Sequence, residues 1–155
     1  MKGKKIWPWL LAAAVFTLDR IAKILARDIP PEGQVLLPGV VGLRYAENRG
    51  VAFSMLSGVP WLPGILSAVI IAGAFWVLRK KKLHPLAMTG LMMMLGGAAG
   101  NMADRFLQGY VTDMIEVLFT RFAIFNVADV FLCTGCGLVI LRLLLSGRGG
   151  KEKET

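Results

Sequence analysis

Charge is scarce in this chain. Only 18% of its 155 residues are Asp, Glu, Lys or Arg, against about a quarter in a soluble domain. Hydrophobic residues make up 55%, and the mean hydropathy is +0.61. That much apolar surface on a small chain cannot all be buried in a water-soluble core. It also excludes intrinsic disorder, which needs low hydrophobicity. Cysteine is scarcer still. Cys133 and Cys136 both lie in an apolar run, which excludes a disulfide scaffold. With no partner pair they read as buried apolar side chains. The one histidine, His84, follows a basic cluster and lies far from the acids. This removes Ser-His and Cys-His mechanisms and an H-E-x-x-H zinc site. There is no G-x-S-x-G elbow, no G-x-x-x-x-G-K-[ST] phosphate loop and no nucleic-acid-binding motif.

What is present is a series of apolar runs. A bilayer-spanning helix needs about 20 mostly apolar residues. Val51 to Leu78 and Leu86 to Ala103 carry no charge, and Phe122 to Leu141 carries only Asp129. Ile6 to Leu18 is apolar, then Asp19, Arg20 and Lys23 interrupt it. The pattern predicts an all-α membrane protein with four transmembrane helices, near 6–26, 60–79, 85–103 and 127–146. These form a single domain over 1–146, followed by a polar, disordered tail over 147–155. Lys2, Lys4 and Lys5 before an apolar stretch resemble a signal peptide. However, Ala12-Ala13-Ala14 lies inside the stretch, and Asp19 and Lys23 occupy the cleavage region, so the segment reads as a retained span.

The basic residues set an orientation. Lys2, Lys4 and Lys5 precede the first span, and Arg79 and Lys80 to Lys82 separate the second from the third. Arg142, Arg148, Lys151 and Lys153 end or follow the fourth, so eleven of the eighteen basic residues lie on one side. The other connections hold Arg27, Arg44, Arg49, Arg105 and Arg121. By the positive-inside rule both termini are cytoplasmic. The basic balance thus reports topology rather than nucleic-acid binding. In the outer segments, Gln34–Leu37, Val40-Val41 and Leu43–Tyr45 read as short strands broken by Pro38, Gly39 and Gly42. Gly109–Thr112 and Phe122–Phe125 read as extended. A small sheet at the outer membrane surface is expected.

The ionisable residues near membrane depth are functional hypotheses by default, and they gather toward one face. Asp19 and Lys23 stand at i, i+4, which fits an ordinary ion pair. Asn101, Asp104 and Arg105 end the third span, where they equally suit a membrane boundary. Asp113 and Glu116 follow. Asn126 suits a helix N-cap and Asp129 the third helical position. Gly96, Gly97 and Gly100 suit close helix packing, Asn48-Arg49-Gly50 suits a turn, and Met92–Met94 suits packing or lipid contact. Elimination leaves carboxylate chemistry. Two aspartates brought together share one proton, so that one activates water while the other donates to the substrate. Asp113 and Asp129 are separated by enough chain to fold back, but spacing alone does not bring them together. A proton-relay or transport protein, and a non-catalytic scaffold, stay open on these residues.

Five motifs in order resemble those of the lipoprotein signal peptidase (signal peptidase II) family, bacterial membrane aspartic endopeptidases. Asp19–Lys23 resembles D-x-x-[ST]-K, and Asn48–Ser54 resembles N-x-G-x-A-F-S. Gly96–Arg105 resembles G-G-A-x-G-N-x-x-D-R, Gly109–Asp113 the stretch with the first catalytic aspartate, and Phe125–Asp129 F-N-x-A-D. The resemblance implies four transmembrane helices with an outer β-cradle and a catalytic pair, Asp113 and Asp129. It implies that Asn48, Gly50, Asn101, Arg105 and Asn126 line or orient the site, supported by Asp19, Lys23 and Asp104. It implies cleavage of diacylglyceryl-modified prolipoproteins before the lipidated lipobox cysteine, with no cofactor and no metal. The partners implied are that substrate and membrane lipids, with no nucleic acid, for a monomer in the bacterial inner (plasma) membrane whose site faces the outer, periplasmic side. There are departures. Ala22 replaces Ser or Thr, which removes a hydroxyl near Lys23. Glu116 and Val117 stand where Asp and an aromatic are usual, and the connection between the aspartates is a few residues shorter.

Overall fold

In a computed structural model of the chain, residues 6–50, 62–80 and 82–148 are described. Lys2, Lys4, Lys5 and Lys81, the Val51–Ser54 part of the second motif, and residues 149–155 lie outside them. The elements in order are α1 (Trp7–Leu25), a 3-10 turn (Ala26–Asp28), β1 (Gln34–Leu37), β2 (Val41–Asn48), α2 (Leu62–Lys80), α3 (Pro85–Gln108), β3 (Val111–Val117) and α4 (Val127–Arg148).

The four expected helices are present, with shifted ends. Helix α3 runs to Gln108, five residues past the expected end at Ala103, so Asp104 and Arg105 are helical. It begins where Pro85 needs no N–H partner and the His84 ring accepts from the Leu86 amide at 3.2 Å. It stops at Gly109, whose φ of 80° closes the helix in the left-handed region. The first two residues of the expected disordered tail, Gly147 and Arg148, belong to α4.

Helix α3 is central because its glycines admit two neighbours at backbone contact. A Cβ on Gly96 would stand 2.5 Å from the Ala12 carbonyl of α1, and one on Gly100 would collide with the Asp19 carboxylate. Gly97 faces α4, where a Cβ would meet the Ala128 carbonyl at 2.6 Å, and Gly90 stands against Gly135 in the same way. The small-residue stripe read from the sequence is therefore split between two partner helices. Ala12, Ala74, Met92 and Leu95 form the buried apolar cluster, with Leu11, Ile71, Leu78, Met88 and Leu91 against it.

Outside this cluster the usual distribution is inverted. Leu143, Leu144, Val69 and Trp76 are exposed, while Asp19, Lys23, Asn101, Asp104, Thr112, Asp113 and Asn126 are buried. Helices with polar interiors and apolar exteriors suit hydrocarbon surroundings. Over the described residues, α3 and Val127–Ser146 of α4 are long and apolar enough to cross a membrane. Cys133 and Cys136 are exposed, contrary to the buried role expected for them. An apolar residue on an exposed helix face needs no protein neighbour if lipid supplies it.

The sheet is antiparallel with order β1-β2-β3. Contrary to the expected break, Gly42 does not interrupt a strand. It lies inside β2, where a Cβ would approach the Gln34 carbonyl to 3.1 Å. Pro38 and Gly39 do turn the chain, with Val40 N–H bonded to the Leu37 carbonyl at 3.0 Å and φ of 70° at Gly39. Phe122–Phe125 is not a strand. Only Phe125 bridges to Ile115. The β2–β3 register sets Ala46 opposite Asp113 and Asn48 opposite Val111, with an irregularity between Leu43 and Ala46. Asn48 and Asp113 are thus diagonal neighbours on one face.

Candidate active site

The diagonal becomes a contact: Asn48 Nδ2 donates to Asp113 Oδ2 at 3.0 Å. The other oxygen, Oδ1, accepts from Asn126 Nδ2 at 2.6 Å. Asn126 belongs to the start of α4, where the N-cap reading holds in full. Its Oδ1 accepts the Asp129 amide at 2.9 Å, and Asp129 Oδ2 accepts the Asn126 amide at 3.3 Å. This reciprocal box satisfies two amides that the first helical turn leaves without partners. The same residue that caps α4 therefore touches both aspartates. The local, bland reading of Asn126 and Asp129 and the functional one describe a single geometry.

The far side of Asp129 is held by α3. Asn101 Nδ2 donates to Asp129 Oδ1 at 2.8 Å, and Asn101 Oδ1 accepts from Asn126 Nδ2 at 3.2 Å and from Lys23 Nζ at 2.8 Å. Lys23 also binds Asp19 Oδ2 and Asp104 Oδ2, each at 2.9 Å. Lys23 thus meets three oxygen partners without the hydroxyl that Ala22 lacks. Asp19 does more than pair within its helix: its Oδ1 accepts the Ala128 amide at 2.9 Å and so also caps α4. Asp104, far from marking a boundary, is fully buried and accepts the Thr112 amide at 3.1 Å. Arg105 donates to the Asn101 carbonyl at 3.2 Å and to the Gly50 carbonyl at 3.4 Å. Gly50 closes a turn on the Asn48 side chain at 3.0 Å.

All ten candidate residues thus fall into one connected network built from α1, α3, α4 and two strands. Glu116 does not join it. It pairs across the sheet with Arg44 at 3.0 Å, which explains how a longer acid is accommodated there. The sequence reading passed over Arg20, whose guanidinium binds Asp104 Oδ1. Its signal was present, since Arg20 stands three residues before Lys23 on one helix face. Also passed over was Tyr110, which meets the Tyr45 hydroxyl at 3.4 Å and lies under the Arg49 guanidinium at 5.4 Å.

Asp113 is buried, and that burial is the main reason its carboxyl is pushed up to about 6. The bonds from Asn48 and Asn126 pull it down, the Asp129 charge pushes it up and Lys23 pulls it down. Beside it opens a cleft of about 620 Å³ lined by Ala46, Glu47, Asn48, Glu116, Thr120 and Phe122, among others. A second, more apolar cleft of about 530 Å³ lies between α2 and α3 against Gly64, Ile65, Ala68, Met102, Arg105 and Phe106. Two carboxyls bonded to one asparagine beside an open groove are groups of the kind that general acid–base chemistry uses.

A sequence profile described as signal peptidase (SPase) II matches residues 11–145. The chain belongs to the signal peptidase II family. Membership makes it a membrane protease of a family that works in bacterial lipoprotein processing. The lipoprotein signal peptidase of Lactococcus lactis subsp. cremoris (strain SK11) is 37% identical over 98% of this chain and 99% of its own. That of Streptococcus pneumoniae (strain ATCC BAA-255 / R6) is 38% identical over 82% and 85%. A bacterial membrane enzyme solved by the in meso method at 2.3 Å resolution superposes with a TM-score of 0.86 at 27% identity, over 96% of this chain and 93% of that one.

Proposed function

We propose that this signal peptidase II family member removes the signal peptide from diacylglyceryl-modified prolipoproteins, cleaving before the lipidated cysteine with Asp113 and Asp129 as an acid pair. The observation that carries this reading is the shared residue Asn126, which touches both carboxyls at once. The pair holds one proton, and Asp113, the more deeply buried partner, keeps it. Ionised Asp129 takes a proton from water as its oxygen attacks the scissile carbonyl carbon, and Asp113 gives its proton to the carbonyl oxygen. The tetrahedral diol then collapses: Asp129 returns a proton to the leaving amine, Asp113 recovers one from a hydroxyl, and the C–N bond breaks. The water is consumed and the pair returns to its starting state.

Four spanning helices, both termini cytoplasmic and a site at the outer face complete the proposal. The basic clusters support it, as does the position of the buried acids at the end of the bundle that carries the sheet. The acids form one layer rather than a ladder across the helices, which disfavours a proton path. The test is cleavage of a lipidated precursor by the D113N and D129N variants. Each is expected to lose roughly 10³-fold or more in kcat, with the double variant little worse than either, because the residues act as a unit. Wild-type cleavage by both folded variants would overturn the assignment.

A further inference from the structure

Arg20 has no place in the chemistry above, yet its side chain is four-fifths buried and ends on a carboxylate with no exposure at all. We infer that Arg20 is a positioning residue for the acid pair, acting through Asp104 and Lys23. This rests on the function proposed above.

The argument is a matter of donors, acceptors and charge. Asp104 has two oxygens. Oδ1 takes the Arg20 guanidinium, while Oδ2 takes Lys23 Nζ at 2.9 Å and the Thr112 amide at 3.1 Å. Lys23 also pairs by charge with Asp19 Oδ2 at 2.9 Å and donates a hydrogen bond to Asn101 Oδ1 at 2.8 Å. An ammonium only donates, so Asn101 must turn its oxygen to Lys23 and its NH2 to Asp129 Oδ1. Asn126, whose NH2 also meets Asn101 Oδ1, is thereby set to donate to Asp113. The orientation of both amides traces back to Lys23.

Lys23 can serve Asn101 only because Asp104 has a second cation. With Arg20, the ion-pair cluster of Arg20, Lys23, Asp19 and Asp104 holds two positive and two negative side chains. Without it, two buried carboxylates share one ammonium, and Asp104 Oδ1 is left unpaired. An unpaired buried charge is costly, and Lys23 is the cation already in contact. It is drawn onto Asp104, and its bond to Asn101 is the one surrendered, since that partner is neutral. Asn101 then loses its fixed direction. Thr112, which Asp104 also holds, stands next to Asp113 in β3. Arg20 therefore supports both carboxyls without touching either.

The test compares R20K, R20Q and R20M in the full-length enzyme in lipid, with a lipidated precursor and with amide hydrogen exchange at Thr112. R20M keeps the apolar stem and removes charge and donor. R20Q keeps a neutral donor for Asp104 and carries the same expectation should R20M fail to fold. Both neutral variants are expected to lose roughly ten- to a hundredfold in kcat with KM within about twofold, as for a small misplacement of catalytic groups. Their Thr112 amide should exchange faster, and R20K should restore both readouts. Wild-type kcat per folded molecule in the neutral variants overturns the proposal, as does a loss in R20K equal to that in R20M. Unchanged Thr112 exchange overturns it too. If the unaltered chain cleaves nothing, the proposed function falls, and the exchange readout still decides the role of Arg20.

Discussion

At Asp113, burial outweighs the two amide donors that favour the charged form. In the folded chain the group holds its proton up to about pH 6, whereas the unfolded chain releases it near 3.8. The folded state therefore binds more protons between these values, and stability from this group is complete below about pH 4 and lost as pH rises through 6. At neutral pH the ionised group costs up to about 3 kcal/mol. D113N should thus unfold at a higher temperature than the unaltered chain at pH 7, with the gap closing near pH 4. A gap of equal size at both pH values would show that burial is not its cause. The same proton is the one used in the proposed chemistry, so kcat/KM should fall as pH rises past about 6. A rate that climbs steadily from pH 6 to 8 would contradict the shared-proton mechanism.

Helix α4 illustrates how an element serves two ends. Its first turn is capped by Asn126, by Asp129 and, from another helix, by Asp19. The site is therefore built from the unsatisfied end of a helix, and a stable start to α4 and a correctly placed Asp129 are one requirement. Further along, two glycines separate packing from propensity. A Cβ on Gly135 would meet the Gly90 carbonyl at 2.5 Å and Met94 Cγ at 2.8 Å, whereas Gly137 has nothing within 4 Å. G135A must push α3 and α4 apart and should lower the unfolding temperature in detergent. G137A should leave it unchanged or raise it, by up to about 1 kcal/mol of helix propensity. Equal effects would mean that the α3–α4 contact is not held at glycine distance.

For the whole molecule the deciding feature is the apolar exterior around a polar layer. Ile140 is exposed near the middle of α4. On a water-facing surface I140K would change stability by about 0.5 kcal/mol or less. In hydrocarbon a central lysine costs about 2.5–3.5 kcal/mol. Membrane insertion of I140K, scored by the fraction of chain with α4 integrated, should therefore drop clearly, and unchanged insertion would argue against α4 as a span. The sheet, with Arg44 and Glu116 paired on it, stands at the end of the bundle where the polar layer lies.

Hydropathy and charge placement alone announced four helices, because apolar run length and the position of basic residues are local quantities. The cap formed by Asn126 and Asp129 was also legible, since its partners are three residues apart. The motifs marked all ten candidate residues of the polar network. What the sequence did not contain was which residues meet. Asp104 looked like a boundary charge and is the buried anchor of Arg20, Lys23 and Thr112. Gly42 looked like a breaker and is a close approach between strands. Cys133 and Cys136 looked buried and are exposed. In each case the missing quantity was a contact between segments far apart in the chain. Such contacts are set by which helix faces pack at glycine distance and by the register of two strands, and only the folded chain determines them.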